Sequence, residues 1–245
     1  MLPYIWIIDT YSLMIFIGVL VCFILFWCYR KKYNLSKAFT YDIFILACIS
    51  IAIGIVSAVL FQLLFDAIKG AIRGTAMTFY GGLVGGIISF IIGYFLVIKK
   101  QYKEANFFTD IVPIAPACIT MAHGFGRIGC FMAGCCYGVE TDSWLGVQFP
   151  HLSHAVYPTQ LFEAIFLIIL SVFLFYIAIK KRSAYTLPLY LLSYGIFRFC
   201  LEFLRGDNRG AFLSSLSPSQ WFSIVAVISS IIVFVVARKI YTLKN

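Results

Sequence analysis

Apolar residues run through this chain in seven long blocks, at roughly 11–29, 41–65, 77–98, 107–133, 158–179, 185–204 and 217–237. Each is close to the length of about 20 residues that a helix needs to cross the hydrocarbon core of a bilayer. Period-2 alternation, which a membrane β-barrel requires, is absent. The pattern predicts an all-α, polytopic membrane protein with about seven transmembrane helices. The fourth block is the least apolar, carrying Asp110, Pro113, Pro116, His123 and Arg127. The first reads as a span and not as a cleaved signal peptide, because basic residues follow it and no small-residue cleavage site appears. No linker, low-complexity tract or repeat interrupts the chain, so residues 1–245 are expected to form a single integral membrane domain.

Composition strengthens this reading. Of the 245 residues, 62% are apolar and 12% charged, with a mean hydropathy of +0.96; soluble domains carry about 25% charged residues. A cytosolic globular enzyme, a disordered chain and an ordinary nucleic-acid module are excluded. The net charge of +9 follows topology and does not call for an acidic partner. Basic residues follow the first block (Arg30, Lys31, Lys32, Lys37), the third (Lys99, Lys100, Lys103), the fifth (Lys180, Lys181, Arg182) and the seventh (Arg238, Lys239, Lys244). Thirteen of the 19 therefore fall on one side, which the positive-inside rule makes the cytoplasm. The N-terminus is expected outside and the C-terminus in the cytoplasm.

Lys69 and Arg73 fall in a short outer loop, where solvation explains them. Arg127 and Arg198 fall within or at the outer end of apolar helices, where an arginine costs about 2.5–3.5 kcal/mol on insertion scales. Two readings compete: an inter-helix salt bridge with Glu163 or Glu202, or a binding site. Arg127 sits in the stretch 123–138, in which six of sixteen residues are glycine or alanine, a density that breaks a helix or admits a ligand close to backbone. Tyr194, Arg198, Glu202 and Arg205 share one face of a helix at i, i+4, i+8 and i+11. Two guanidiniums facing one cavity suit a phosphate or phosphodiester, which arginine grips bidentately. Tyr80, Gly81, Gly82, Gly85 and Gly86 on the third block read either as close helix packing or as part of that cavity. Residues 157–163 open the fifth block with Pro158 near the helix start and with Gln160 and Glu163 aimed inward.

These four segments, in this order, resemble the prolipoprotein diacylglyceryl transferase family. Its His-Gly-Gly-Leu-x-Gly run is matched at 80–85, with Tyr80 in place of histidine. Its Gly-Arg-x-Gly-Asn-Phe-x-Asn-Gly-Glu-x-x-Gly signature is matched at Gly126, Arg127, Gly129, Phe131, Gly134 and Gly138. Cys130 and Ala133 replace the two asparagines there, and Cys135 the glutamate. Its His-Pro-Ser-Gln-Leu-Tyr-Glu segment resembles 157–163, with Tyr157 for histidine. Its Tyr-Gly-x-x-Arg-Phe-x-x-Glu-x-x-Arg segment matches Tyr194, Gly195, Arg198, Phe199, Glu202 and Arg205, and Tyr11-Ser12-Leu13 echoes an N-terminal Tyr-Gly-Leu.

The resemblance implies a multi-pass enzyme of the bacterial cytoplasmic (inner) membrane, its active site toward the outer leaflet. It would move a diacylglyceryl group from phosphatidylglycerol to a lipobox cysteine thiol of a secreted prolipoprotein, releasing glycerol phosphate. A similar anionic phospholipid, or transfer to another acceptor, is the divergent form of the same reading. Arg127 and Arg198 would hold the phosphate and neutralise charge on the leaving group, Glu202 would orient an arginine, and Tyr194 would donate a hydrogen bond. Tyr80 and His123 complete the expected catalytic set. Gly81, Gly82, Gly126, Gly129, Cys130, Cys135, Gly138, Gln160, Tyr194 and Arg205 are the expected substrate-binding residues. No metal, cofactor or nucleic-acid partner is expected. Histidine titrates near about 6.5 and tyrosine near about 10, so Tyr80 is a poor general base. His123 either takes over proton handling or caps the glycine-rich stretch.

Cys22, Cys28, Cys48, Cys118 and Cys200 lie in apolar blocks and read as small buried hydrophobes. Cys130, Cys135 and Cys136 cluster at the outer side, where disulfides form. They read as packing or a disulfide, as an active thiol favoured by Arg127, or as a metal site with His123. His151 and His154 read as a solvated loop pair, and Trp144 as an interfacial anchor. Two other classes stay open: a membrane thiol oxidoreductase using Cys130, Cys135 and Cys136, and a lipid-binding or transport protein on the same scaffold.

Overall fold

A computed structural model describes residues 4–5, 8–68, 79–206 and 216–242. Lys69, Arg73, Arg209 and Lys244 lie outside the described residues, as does the side chain of Tyr80. Seven helices carry the described chain: α1 (Thr10–Tyr33), α2 (Lys37–Ile68), α3 (Phe79–Gly93), α4 (Ala115–Met132), α5 (Thr159–Lys181), α6 (Thr186–Leu201) and α7 (Pro218–Thr242). Helix α3 continues through a π-helical turn, Tyr94–Ile98, into Lys99–Gln101. Six stretches are long and apolar enough to cross a membrane: Thr10–Tyr33, Lys37–Leu64, Gly81–Gln101, Thr159–Lys181, Thr186–Leu204 and Pro218–Lys239. The chain is a multi-pass membrane protein.

The fourth apolar block is not one helix. A π-helical turn at Phe107–Ile111 precedes α4, whose first turn contains Pro116. Proline lacks the N–H that an inner turn would need, and fits where that donor is unpaired anyway. The polar start of this block is satisfied locally. Asp110 pairs with Arg182, whose Nε also donates to the Thr109 carbonyl at 3.0 Å, and the Tyr29 hydroxyl donates to the same carbonyl at 2.8 Å.

The chain divides into two compact units, residues 1–29 with 107–245, and residues 30–106. In the second unit α2 and α3 meet along glycines. A Cβ on Gly85 would lie 2.4 Å from the Ser57 Cβ, one on Gly81 2.6 Å from the Phe61 Cβ, and one on Gly54 2.9 Å from the Gly82 carbonyl. Lipid-facing helices have no hydrophobic drive to associate, so close backbone approach supplies the contact. The Ser57 hydroxyl donates to the Gly81 carbonyl at 2.9 Å.

The first unit uses the same device. Gly124 of α4 approaches Ile168, Ala164 and Leu167 of α5, and Gly18 of α1 approaches Phe125 and Ala122. Ser171 donates to the Ala117 carbonyl at 2.6 Å. Phe166 of α5 stacks on Phe197 of α6, ring centroids 3.9 Å apart. The expectation that five cysteines are buried hydrophobes is not met. Cys28, Cys48 and Cys200 are exposed, and Cys22 and Cys118 are half-buried. The three exposed ones lie on outward apolar faces, where lipid receives a small apolar side chain as readily as a core does, whereas Cys22 and Cys118 face each other between α1 and α4, the Cys22 thiol donating to the Cys118 carbonyl at 3.0 Å.

Candidate active site

Glu163 is the centre of the charged residues in the first unit. It sits one turn into α5 and has no exposed surface. Its Oε2 lies 3.0 Å from Nε of Arg127, and its Oε1 lies 3.6 Å from Nε2 of His123 and accepts the Tyr194 hydroxyl at 2.8 Å. Three helices, α4, α5 and α6, therefore converge on one carboxylate. His123 and Arg127 are four residues apart on α4, which puts them on one face. The Tyr194 ring meets the His123 ring edge-on at 5.4 Å.

A second pair stands beside the first. Arg198 is 6% exposed, and its Nη2 lies 2.7 Å from Oε2 of Glu202 and donates to Ser219 Oγ at 3.1 Å. The Ser217 hydroxyl donates to the other oxygen of Glu202 at 2.7 Å. Both arginines thus have carboxylate partners, Arg127 across two helices and Arg198 at i, i+4 along the chain. Among the described residues, Nη1 of Arg198 and Nε of Arg127 make no hydrogen bond: the Arg127–Glu163 contact is an ion pair whose N–H is not aimed at the oxygen.

The helix carrying Tyr194 and Arg198 ends at Leu201 and passes through a 3₁₀ turn, Glu202–Leu204. Arg205 is consequently extended and not on the helical face the spacing predicts. It is 8% exposed and pairs through its backbone with Gly138, whose absent side chain would meet the Leu204 carbonyl at 2.4 Å. Gly129 admits Tyr11, whose Cα would lie 3.3 Å from a Cβ there. Gly126 has open space beyond its Cα, with nothing within 4 Å of a Cβ position. Gly81 and Gly82 belong to the other unit, in the α2–α3 contact.

Beyond Met132 the chain closes α4 with a Schellman motif. Gly134 takes φ +69°, its N–H donates to Phe131 O at 3.1 Å, and the Cys135 N–H donates to Cys130 O at 3.1 Å. That motif brings the side chains at its two ends together, here Cys130 and Cys135. Gln160, fully buried, donates to the Cys135 carbonyl at 2.6 Å, and Thr159 to the Cys136 carbonyl at 3.1 Å. All three thiols are free, with their sulfurs within 4.8 Å of one another. Hydrogen bonds from the Cys130 and Cys135 thiols, then the charges of Arg205 and Arg127, hold the Cys136 thiol below the usual thiol range. Cys135 and Cys136 line a cleft of about 650 Å³ together with His151 and His154. His151 leans on the rings of Tyr137 and Phe149 at 5.9 and 6.0 Å, and Trp144 is 90% exposed.

The sequence marks Glu163 as an inward-facing group and a partner for an arginine but not as the centre of the network, and it does not single out Ser217 or Ser219. A carboxylate inside a 23-residue apolar helix was signal enough, since an ionisable group at membrane depth marks function or pairing by default.

The chain matches the profile of the family described as prolipoprotein diacylglyceryl transferase over residues 4–236. It is 40% identical over 153 residues to the phosphatidylglycerol–prolipoprotein diacylglyceryl transferase of Clostridium tetani (strain Massachusetts / E88), covering 60% of each chain. It is 45% identical over 122 residues to phosphatidylglycerol–prolipoprotein diacylglyceryl transferase 2 of Clostridium perfringens (strain 13 / Type A), covering 47% of each. With the enzyme of the same name from Francisella tularensis subsp. novicida (strain U112) it shares 36% over 148 residues, 58% of this chain and 54% of the relative. The matches thus span 47–60% of the length of these relatives.

Proposed function

The chain belongs to the prolipoprotein diacylglyceryl transferase family, and on that premise we propose that it transfers a diacylglyceryl group from phosphatidylglycerol, or a closely related anionic phospholipid, to a cysteine thiol. The acceptor in this reading is a secreted prolipoprotein. The protein would lie in the bacterial inner membrane, N-terminus outside, with the site toward the outer leaflet. The sulfur attacks the glyceryl C3 carbon, an S–C bond forms, the C–O bond to phosphate breaks, and glycerol phosphate leaves. Arg127 and Arg198 hold the phosphate and stabilise the charge that grows on it. Glu163 and Glu202 hold the two guanidiniums, and Tyr194 fixes Glu163. His123, against Glu163, accepts the thiol proton.

One observation carries the reading. Nη2 of the buried Arg198 is held by Glu202 and Ser219, while its Nη1 donor makes no hydrogen bond among the described residues. A phosphodiester oxygen of a lipid head group would accept from that donor. Buried charges are kept where they are paired or bind.

The test is the reaction itself. Purified protein is incubated with radiolabelled phosphatidylglycerol and a lipobox peptide, and Arg198→Ala is run beside it. The expected result is a diacylglyceryl-peptide from the unaltered chain and a loss of about 10²–10³-fold with the variant, the scale of one lost transition-state donor. Lipid consumed without peptide modification would move the acceptor elsewhere, and equal rates from the two proteins would overturn the phosphate role.

A further inference from the structure

Cys130, Cys135 and Cys136 are not absorbed by the transferase chemistry, and the backbone is built to gather them. The Schellman turn at the end of α4 places Cys130 and Cys135 side by side. The third thiol arrives by a strained route, with Cys136 at φ +63°. Non-glycine residues avoid this region because Cβ crowds the following carbonyl, and they persist there where the surroundings over-determine them. The surroundings here do so: Gln160 and Thr159 fasten the carbonyls of Cys135 and Cys136. The three sulfurs lie within 4.8 Å of one another, half-buried at Cys130 and Cys136 and open to solvent at Cys135.

We propose that Cys130, Cys135 and Cys136 form a binding site for a soft, thiophilic monovalent cation of the copper(I) class, held by three sulfurs.

Ligand softness and number choose the ion. Thiolate sulfur selects Cu(I), zinc and iron–sulfur clusters over hard cations. Zinc prefers four ligands in tetrahedral array, and among the described residues no fourth histidine, cysteine or carboxylate joins the three sulfurs. A monovalent soft ion is satisfied by a three-sulfur set. Three thiolates around one positive charge leave a net negative cluster, and Arg205 and Arg127, whose charges reach Cys136, offset it. The ion enters through the cleft that Cys135 and Cys136 line. Binding displaces thiol protons to solvent and changes no oxidation state. The proposal is independent of the transferase reading, because its measurement is metal retention and not turnover.

The experiment uses the full chain in detergent, reduced anaerobically and titrated with copper(I) against a chromophoric copper(I) chelator. The expected result is one copper retained per chain, and less than a tenth of that in each of Cys130→Ser, Cys135→Ser and Cys136→Ser. Cys28→Ser and Cys48→Ser, on exposed helix faces, should retain it fully. X-ray absorption of the loaded protein should show a three-sulfur shell. Monodisperse elution of each variant in size exclusion separates a lost site from a lost fold. No copper held against the chelator, equal retention by the Cys130→Ser/Cys135→Ser/Cys136→Ser triple variant, or zinc retained in preference would each overturn the proposal. So would six free thiols in place of eight in the unreduced, denatured chain, which would make the cluster a disulfide.

Discussion

Replacing Glu163 by glutamine isolates what the central carboxylate does. Glutamine keeps the shape and leaves a carbonyl oxygen to accept the Tyr194 hydroxyl, now 2.8 Å away. It removes the charge facing Arg127 and, in the orientation that keeps the Tyr194 bond, sets an amide donor where Nε of Arg127 now lies 3.0 Å from a carboxylate oxygen. Breaking a buried pair from one side costs about 3–5 kcal/mol, because the other charge stays behind. Glu163 is wholly buried, but the Arg127 side chain keeps 16% of its surface exposed, so the lower end, about 3 kcal/mol, applies. A chain of this size loses roughly 2–4 °C of Tm per kcal/mol, which gives a fall of about 6–12 °C.

Intrinsic tryptophan fluorescence during heating in detergent reads that shift. The transferase assay should fall with it, by about 10²-fold, the scale of a guanidinium displaced by about an ångström from a reacting group. A second variant sharpens the test. Glu163→Leu combined with Arg127→Met removes both charges and should be near neutral in Tm, with activity still lost. A Glu163→Gln protein that melts within about 2 °C of the unaltered chain would mean that Arg127 is solvated without its partner and that the pair is not a buried one. A double variant melting as low as the single one would refute the reasoning equally.

Arg198→Lys keeps the charge but has one nitrogen in place of the planar fork, so it cannot hold Glu202 and Ser219 with one nitrogen and reach a phosphate with a second; turnover should fall about 10²-fold with Tm changed by less than 3 °C. Gly126→Ala should raise Tm by about 2–4 °C, since alanine gains about 1 kcal/mol in a helix, and turnover should persist. Gly126→Leu fills the open space beside Arg127, and an apparent KM for lipid raised about tenfold is expected; an unchanged KM would mean the lipid does not pass there. Gly85→Val forces a Cβ 2.4 Å from that of Ser57 and should cost about 1–3 kcal/mol by overpacking, partly recovered in thermal melts by adding Ser57→Gly. Tyr102, outside the spans, donates to Asp42 at 2.5 Å, and that bond raises its hydroxyl to about 12. Its folded value lies above the unfolded one near 10, so its stabilisation is complete below about pH 10 and is lost toward pH 12. The Tm difference between the unaltered chain and Tyr102→Phe should shrink over that window in melts at stepped pH.

The helices were legible because a bilayer imposes one length on every span. The block at 158–179 became Thr159–Lys181, and that at 217–237 became Pro218–Thr242. The block at 107–133 was misread as continuous, since hydropathy averages over the prolines that break it. Arg127 and Arg198 were visible as charges in apolar surroundings, but their partners depended on how α4, α5 and α6 meet. Arg198–Glu202 follows from i, i+4 spacing, whereas Arg127–Glu163 joins two helices and no spacing announces it. Arg205 was lost to the period: from Glu202, four residues past Arg198, the helix tightens into a 3₁₀ turn, so a face extrapolated to i+11 no longer existed. The thiol cluster was legible as a cluster, but the αL turn at Cys136 that closes it has no cue in a residue type that rarely adopts it.

The residues that match the family motifs and those that depart from them divide in space. Arg127, Tyr194, Arg198 and Glu202 match, and each makes an ion pair or hydrogen bond in the interior network around Glu163, Ser217 and Ser219. Such positions resist replacement for a physical reason: changing one leaves another charge buried alone. Cys130, Ala133 and Cys135 depart, and they sit at the last turn of α4 and just beyond it, with Cys135 bordering the cleft. Tyr157 departs too, yet it enters this region through its backbone, accepting from the Gly138 N–H at 2.8 Å, a role any side chain permits. The network that suits a phosphate is therefore the part retained, and the surface that a second substrate would meet is the part rewritten. On that division, lipid selectivity should follow the arginines, while the identity of the acceptor should follow positions 130, 133 and 135. Restoring asparagine at 130 and 133 and glutamate at 135 together would then leave lipid consumption unchanged and alter only which thiol receives the diacylglyceryl group.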